Sequence, residues 1–403
     1  MTPSANVASA GPAGPLPAAM TRPQATSAET SSARSVMSRP RTAIAGTPAR
    51  RRRKATTPSV ATTARATVVS APSMRAGSQS NGGGGQGAGK DGASLDSPPM
   101  AGGGRDPDPD EIHDVNVRYH DAAAAGYDVK WGVDYGEVGR AQVLGKVRKL
   151  LGPHPGPFER ALEIGAGTGY FTLHLLAAGV VRSAVASDIS PGMTRVLSEN
   201  ARRMGLDVET AVCAAEDLPF EDCSFDLVLG HAVLHHIPDL GQAFAEMRRV
   251  LRPGGTILFA GEPSARGDRL ASIPKRAALR AAPLWRRLMR ARPAEPHRGE
   301  AEDGESLEPF VDVHAFVPDD LLRAARAAGL EDVRVQGEEL LANWFGWFNR
   351  TLEATARPED VPWPWRQYAF RGYLALQAVD RIALEPRLPA GIFYNLMLTG
   401  RRP

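Results

Sequence analysis

The chain has 403 residues, with 48 Lys or Arg against 45 Asp or Glu and a net charge of +3. Only two cysteines are present, which excludes a disulfide framework or a cysteine-built metal site, and no apolar run reaches the roughly 18 residues that a membrane-spanning helix needs. The charge is uneven: residues 1–90 hold twelve basic residues and one acid, a net of +11, whereas the remainder carries −8.

Residues 1–105 are almost entirely Ala, Ser, Thr, Pro, Gly and Arg. Such a segment buries too little apolar surface to offset the entropy of ordering it, so a disordered, low-complexity basic tail is expected there. Gly84 to Asp91 imitates a phosphate-binding loop, but Asp91 stands where Ser or Thr is required and no strand precedes it. The Arg50–Lys54 cluster reads as a solvated charge run, and no nucleic-acid partner is expected. Cysteine usage fits a reducing compartment, so the expected location is cytoplasmic, or an organelle if the Arg- and Ser-rich beginning is a transit peptide.

Residues 106–403 are expected to be the folded part, with its core at about 140–262. Ala161, Leu162 and Ile164 read as a buried parallel strand leading into Gly165-Ala166-Gly167-Thr168-Gly169, and Tyr170 to Ala178 reads as a helix. Glycines at alternate positions let a ligand lie against the backbone, and the helix start adds free N–H groups and partial positive charge. The spacing is G-x-G-x-G, whereas a dinucleotide loop has G-x-G-x-x-G/A and Tyr170 fills that last place. The acidic Glu163 beside the loop suits a cationic ligand such as S-adenosylmethionine better than a pyrophosphate. Ser183 to Ser187 forms a second strand ending in Asp188, the position from which a carboxylate reaches ribose hydroxyls. Ser190 and Pro191 then start a helix that Gly205 ends.

A third strand is predicted at Val208–Cys213, a fourth at Phe225–Gly230 and a fifth at Thr256–Ala260, with a helix from Leu240 to Leu251 before the last. In order, E-x-G-x-G-x-G (Glu163–Gly169), D-I-S (Asp188–Ser190), L-P-F (Leu218–Phe220), F-D-L-V (Phe225–Val228), L-H-H-I (Leu234–Ile237) and L-R-P-G-G (Leu251–Gly255) resemble the class I S-adenosylmethionine-dependent methyltransferases. The resemblance is to their small-molecule branch, which includes quinone, lipid and natural-product methyltransferases. It covers about residues 140–262 and implies an α/β, Rossmann-like fold with a seven-stranded, mostly parallel sheet, flanking helices and helical cap insertions.

By this resemblance Glu163, Gly165 and Gly167 would hold the amino-acid end of S-adenosylmethionine, Ala166 would be a further cofactor-binding residue, and Gly169 would shape the turn. Asp188 would bind the ribose and Met193 would pack on adenine. The third loop of the family commonly carries an aspartate for the adenine amino group; here that position is Ala214, so the contact is either missing or supplied by Glu216 or Asp217, with Ala215 also a candidate for cofactor binding. His231 would lie where cofactor and acceptor meet, and His231 and His236 are the candidate catalytic bases. Tyr127 and Trp131 would belong to a lid.

Beyond the core, cap insertions are expected at about 263–316 and 340–390, a helix at Pro318–Ala328, a sixth strand at Val333–Val335 and a last strand at about 392–400. Between Arg266 and Arg292 stand nine basic residues and one acid, Asp268, a pattern suited to an anionic membrane surface or to a solvated helix. Four of the six tryptophans fall in the second insertion, with part of its aromatic set expected around an apolar acceptor pocket. The expected activity is methyl transfer to a small hydrophobic acceptor such as a lipid, quinone or polyketide. The alternatives are an RNA or protein methyltransferase docking through the basic tail, or a cofactor-binding protein without turnover.

Overall fold

A computed structural model describes residues 108–294, 311 and 313–403. The expected basic tail, residues 1–105, lies outside them. Seven strands form one sheet: β1 (Phe158–Ile164), β2 (Val181–Asp188), β3 (Glu209–Val212), β4 (Phe225–His231), β5 (Leu251–Pro263), β6 (Glu331–Glu338) and β7 (Asn395–Arg401), in the order β3-β2-β1-β4-β5-β7-β6. β1, β2, β3, β4 and β5 pair in parallel, and β7 inserts antiparallel between β5 and β6. The order reverses at β1, with β2 on one side and β4 on the other. Open α/β sheets bind ligands in the crevice at that switch point.

The central strands are apolar on both sides because helices cover both faces. On one face Leu162, Val185, Val228, Ile257 and Phe259 pack against α6 (Leu240–Val250) and α8 (Pro318–Ala327). On the other, Ala161, Leu227, Leu229 and Leu258 meet Val143 and Val147 of α3 (Glu137–Leu151) and Phe171 and Leu175 of α4 (Tyr170–Ala177). α5 (Pro191–Met204) starts as its sequence predicts: the Ser190 hydroxyl accepts from Met193 N–H, and Gly205 ends the helix in the left-handed region. β5 exceeds its predicted span because the Arg252–Gly255 turn lies within it, at a register shift against β4.

The amino-terminal preamble folds as α1 (Pro109–Ala123) and α2 (Tyr127–Trp131) ahead of α3. Asp121 ties it to the core by accepting from Ser190 Oγ at 2.5 Å and Gly192 N–H at 2.7 Å. The insertions supply α7 (Ala265–Met289), α9 (Leu341–Ala354) and α10 (Trp363–Val379). A buried ionic cluster joins them to the core: Lys146 and Lys149 of α3 pair with Glu338 at the end of β6, and Lys149 also pairs with Glu385 at 2.9 Å. Burial alone would raise the Glu338 carboxyl, but the two lysines overcome it and hold it at about 2. The aromatic set of the second insertion packs this cap. Trp347 sits against Ala271 and Tyr394, Trp365 lies 5.3 Å from Trp285, and Phe345 faces Tyr368.

Candidate functional site

A cleft open to solvent on one side lies over the carboxyl ends of β1 to β4. Its floor comes from the glycine bend after β1, Asp188 at the end of β2, the loop after β3 and the segment after β4; α1 and Tyr127 form the facing wall. Of the residues singled out in the sequence, the cleft brings together Tyr127, Gly165, Gly167, Asp188, Ala214, Ala215, Glu216, His231 and His236.

Gly167 and Asp188 are coupled directly. The Gly167 N–H donates to Asp188 Oδ2 at 2.8 Å, and the Ser190 N–H donates to Oδ1 at 2.9 Å. Each carboxylate oxygen therefore keeps acceptor capacity, since an ionised carboxylate offers about four lone-pair positions. Burial, the largest influence, raises the Asp188 carboxyl on balance, against the opposing pull of the neighbouring His120 and the two N–H donors. The bend's glycines differ in role. Gly167 has φ +53° and nothing within 4 Å of where a Cβ would stand, so it presents bare backbone to open space. Gly165, at φ +60°, is a packing position: a Cβ there would fall 2.2 Å from Val233 Cγ2.

The remaining singled-out residues stand outside the lining. Glu163 is buried on the α4 side of β1 and accepts from the Thr172 N–H at 2.8 Å and from the Thr172 hydroxyl. Burial without a cationic partner pushes its carboxyl up to about 8. It thus pins the start of α4 to β1. Ala166 packs with Ala186 and Leu197, Gly169 begins α4 at φ +94° against Leu173 and Leu197, and Met193 is fully buried. Trp131 pairs with Tyr127 behind the wall. The rings of the second insertion pack the cap and do not line the cleft.

His231 stacks on Phe171 with ring centroids 4.6 Å apart. Burial, reinforced by the Lys146 charge, lowers it to about 3, so the imidazole is neutral at physiological pH. His236 donates from Nδ1 to the Val311 carbonyl at 2.9 Å, which makes Nε2 the acceptor nitrogen of its neutral ring. Burial lowers its pKa as well.

Several site residues escaped the sequence reading. His113 and His120 reach the cleft from α1; His113 Nε2 lies 3.3 Å from Glu216 Oε1, and that bond raises the imidazole pKa. Glu262, wholly buried at the end of β5, accepts from the N–H groups of Val233 at 3.0 Å, Leu234 at 3.2 Å and His235 at 3.3 Å, and from His235 Nδ1 at 2.9 Å. One carboxylate therefore holds the segment after β4, whose Ala232 has φ +53°. The signal for it was an acid directly after an apolar strand.

This placement of a glycine bend, a strand-end aspartate and a post-β4 histidine segment agrees with a match of residues 162–259 to the family model described as a methyltransferase domain. That match covers about a quarter of the chain, and the family it describes uses S-adenosylmethionine as methyl donor. The chain is 39% identical over 140 residues to a malonyl-[acyl-carrier protein] O-methyltransferase of Methylococcus capsulatus, covering 34% of this chain and 48% of that protein. It is 33% identical over 138 residues to a ubiquinone/menaquinone biosynthesis C-methyltransferase of Cupriavidus metallidurans, covering 34% and 56%. The matched segments thus span about half the length of these curated relatives. Among solved structures, the phosphoethanolamine N-methyltransferase 2 of Haemonchus contortus in complex with S-adenosyl-L-methionine aligns with TM-score 0.46 at 17% identity, over 72% of this chain and 60% of that one.

Proposed function

We propose that the protein transfers a methyl group from S-adenosylmethionine to a small hydrophobic acceptor. The observation that carries the reading is the Gly167–Asp188 junction in the cleft, which sets bare backbone beside a buried carboxylate with unused acceptor capacity. That donor and acceptor set fits the cofactor. Asp188 would take the ribose hydroxyls, Gly165 and Gly167 the amino-acid end, and Ala215 and Glu216 would border the adenine. When bound, the cofactor supplies an electrophilic methyl group on a sulfonium.

The chain's own residues hold and align the reactants and keep water away. α1 covers the cleft through Asp121, Glu262 fixes the segment that carries His235 and His236, and Phe171 holds the His231 ring flat against one wall. His231 and His236 are the candidate bases at the end of β4 and after it, but the burial that keeps them neutral also makes them weak ones. The favoured acceptor is therefore one that ionises readily, such as a carboxylic acid, enol or phenol on an apolar body. The relatives named as a malonyl-[acyl-carrier protein] O-methyltransferase and a ubiquinone/menaquinone biosynthesis C-methyltransferase support acceptors of this kind.

The test has two parts. Calorimetry with S-adenosylhomocysteine should give saturable binding that Asp188→Ala abolishes while the variant remains folded; unchanged affinity would remove the site assignment. Incubating cell extracts with labelled cofactor, with and without the protein, should then reveal one methylated apolar acid. Cofactor binding with no consumption across such extracts would favour a binding protein instead.

A further inference from the structure

α7 packs its inner face, Ala271, Ala278, Ala282 and Trp285, against the cap and turns the opposite face to solvent. Arg266, Arg269, Arg276, Arg280 and Arg287 recur on that outer face at spacings of three to seven residues, with Arg290 beyond them, and Asp268 is the only acid in the helix. Between the arginines stand exposed apolar side chains: Ile273 at 54%, Leu284 at 63% and Leu288 at 67%. The carboxyl end of α7 meets the start of α10 through Trp285 and Trp365. There Trp363 (59% exposed) and Tyr368 (54%) begin a second outward stripe that continues through Arg371, Ala375 and Val379.

A purely solvated helix would mix both charge signs and keep large apolar side chains inward. Here one sign of charge alternates with exposed Ile and Leu side chains along a helix about 37 Å long at 1.5 Å per residue, and the exposed aromatics Trp363 and Tyr368 adjoin it on α10. Among the described residues no helix is long and apolar enough to cross a membrane, so α7 can lie on a bilayer but not span it. We propose that the outer face of α7, with the adjoining start of α10, docks the protein on an anionic phospholipid bilayer. Ile273, Leu284, Leu288 and Trp363 enter the headgroup boundary while the arginines extend their charged ends to lipid phosphates. An acidic protein would satisfy the arginines but leave the apolar side chains without a reason to be exposed. The proposal is independent of methyl transfer, because binding is read without turnover.

The experiment is sedimentation of the full-length chain with vesicles of phosphatidylcholine alone or of equal parts phosphatidylcholine and phosphatidylglycerol, at low and high salt. The protein should partition only into the anionic vesicles, more weakly as salt rises, with a blue shift of tryptophan emission that Trp363→Phe diminishes. Arg280→Glu with Arg287→Glu should lower the partition coefficient at least about tenfold, each charge near an anionic surface being worth about 1 kcal/mol. Leu284→Ser with Leu288→Ser should lower it several-fold. All four positions are exposed, and unchanged far-ultraviolet circular dichroism checks that the variants fold. Full binding by the arginine variant would place the contact elsewhere, such as residues 1–90, and overturn the proposal. Equal binding to neutral vesicles, binding to neither vesicle, or retention on immobilised polyglutamate without vesicle binding would overturn it too, the last in favour of an acidic protein.

Discussion

Two glycines of the same bend should separate stability from cofactor affinity. Gly165→Ala forces a left-handed backbone on a residue with a Cβ, at about 1–2 kcal/mol. It also sets that Cβ 2.2 Å from Val233 Cγ2 and 2.8 Å from Val233 Cβ. Val233 cannot easily yield, because its N–H is bonded to the buried Glu262. Overpacking of this kind adds about 1–3 kcal/mol, for a total near 2–5 kcal/mol. Gly167→Ala meets nothing within 4 Å and carries only the backbone cost, about 1–2 kcal/mol. Its new methyl group, however, occupies the space where the cofactor would approach the backbone. Urea unfolding should therefore show the larger loss for Gly165→Ala, while calorimetry with S-adenosylhomocysteine should show at least about tenfold weaker binding, or 1.4 kcal/mol, for Gly167→Ala. Wild-type affinity in Gly167→Ala would refute the close approach of ligand to that backbone. Equal stability of the two variants would refute the packing role of Gly165.

Glu163 makes a pH prediction. Its folded pKa of about 8 lies above its ordinary 4.5, so between those values the unfolded chain holds fewer protons and stability falls as pH rises. The loss approaches about 5 kcal/mol and levels off above pH 8; Glu163→Gln should flatten the stability profile across that window, and an unchanged slope would show that the carboxyl is not so perturbed. Removing Glu262 strands three N–H groups and an imidazole, so Glu262→Ala should lower the unfolding free energy by about 3 kcal/mol or more, measured by denaturant titration. With His231 at about 3, it stays uncharged from pH 5 upward. The acid limb of kcat should coincide for wild type and His231→Gln, and a limb between pH 6 and 7 that disappears in the variant would refute a neutral imidazole.

Much of the fold was written locally. Alternation of apolar strands with helical segments specified β1 to β5, α4, α5 and α6 in order, because each buried strand is a short apolar run and α5 carries its own start and stop signals in Ser190 and Gly205. The placement of the glycine bend beside Asp188 was equally legible, since it depends on neighbours within about twenty residues. The direction of Glu163 was not, because strand alternation turns it toward α4, where Thr172 takes it up. The aromatic residues of the second insertion likewise carry no local mark that distinguishes a pocket wall from cap packing.

By itself, then, the amino-acid order determined the strand and helix succession, the bend and the acid at the end of β2, all properties of short segments. Tertiary structure alone decided that β7 slips between β5 and β6, that Glu262 reaches back to hold the segment after β4, and that His113 and His120 close the cleft from α1. Those contacts join residues from about 30 to more than 100 positions apart, and they follow from which surfaces remain to be buried once the sheet has formed.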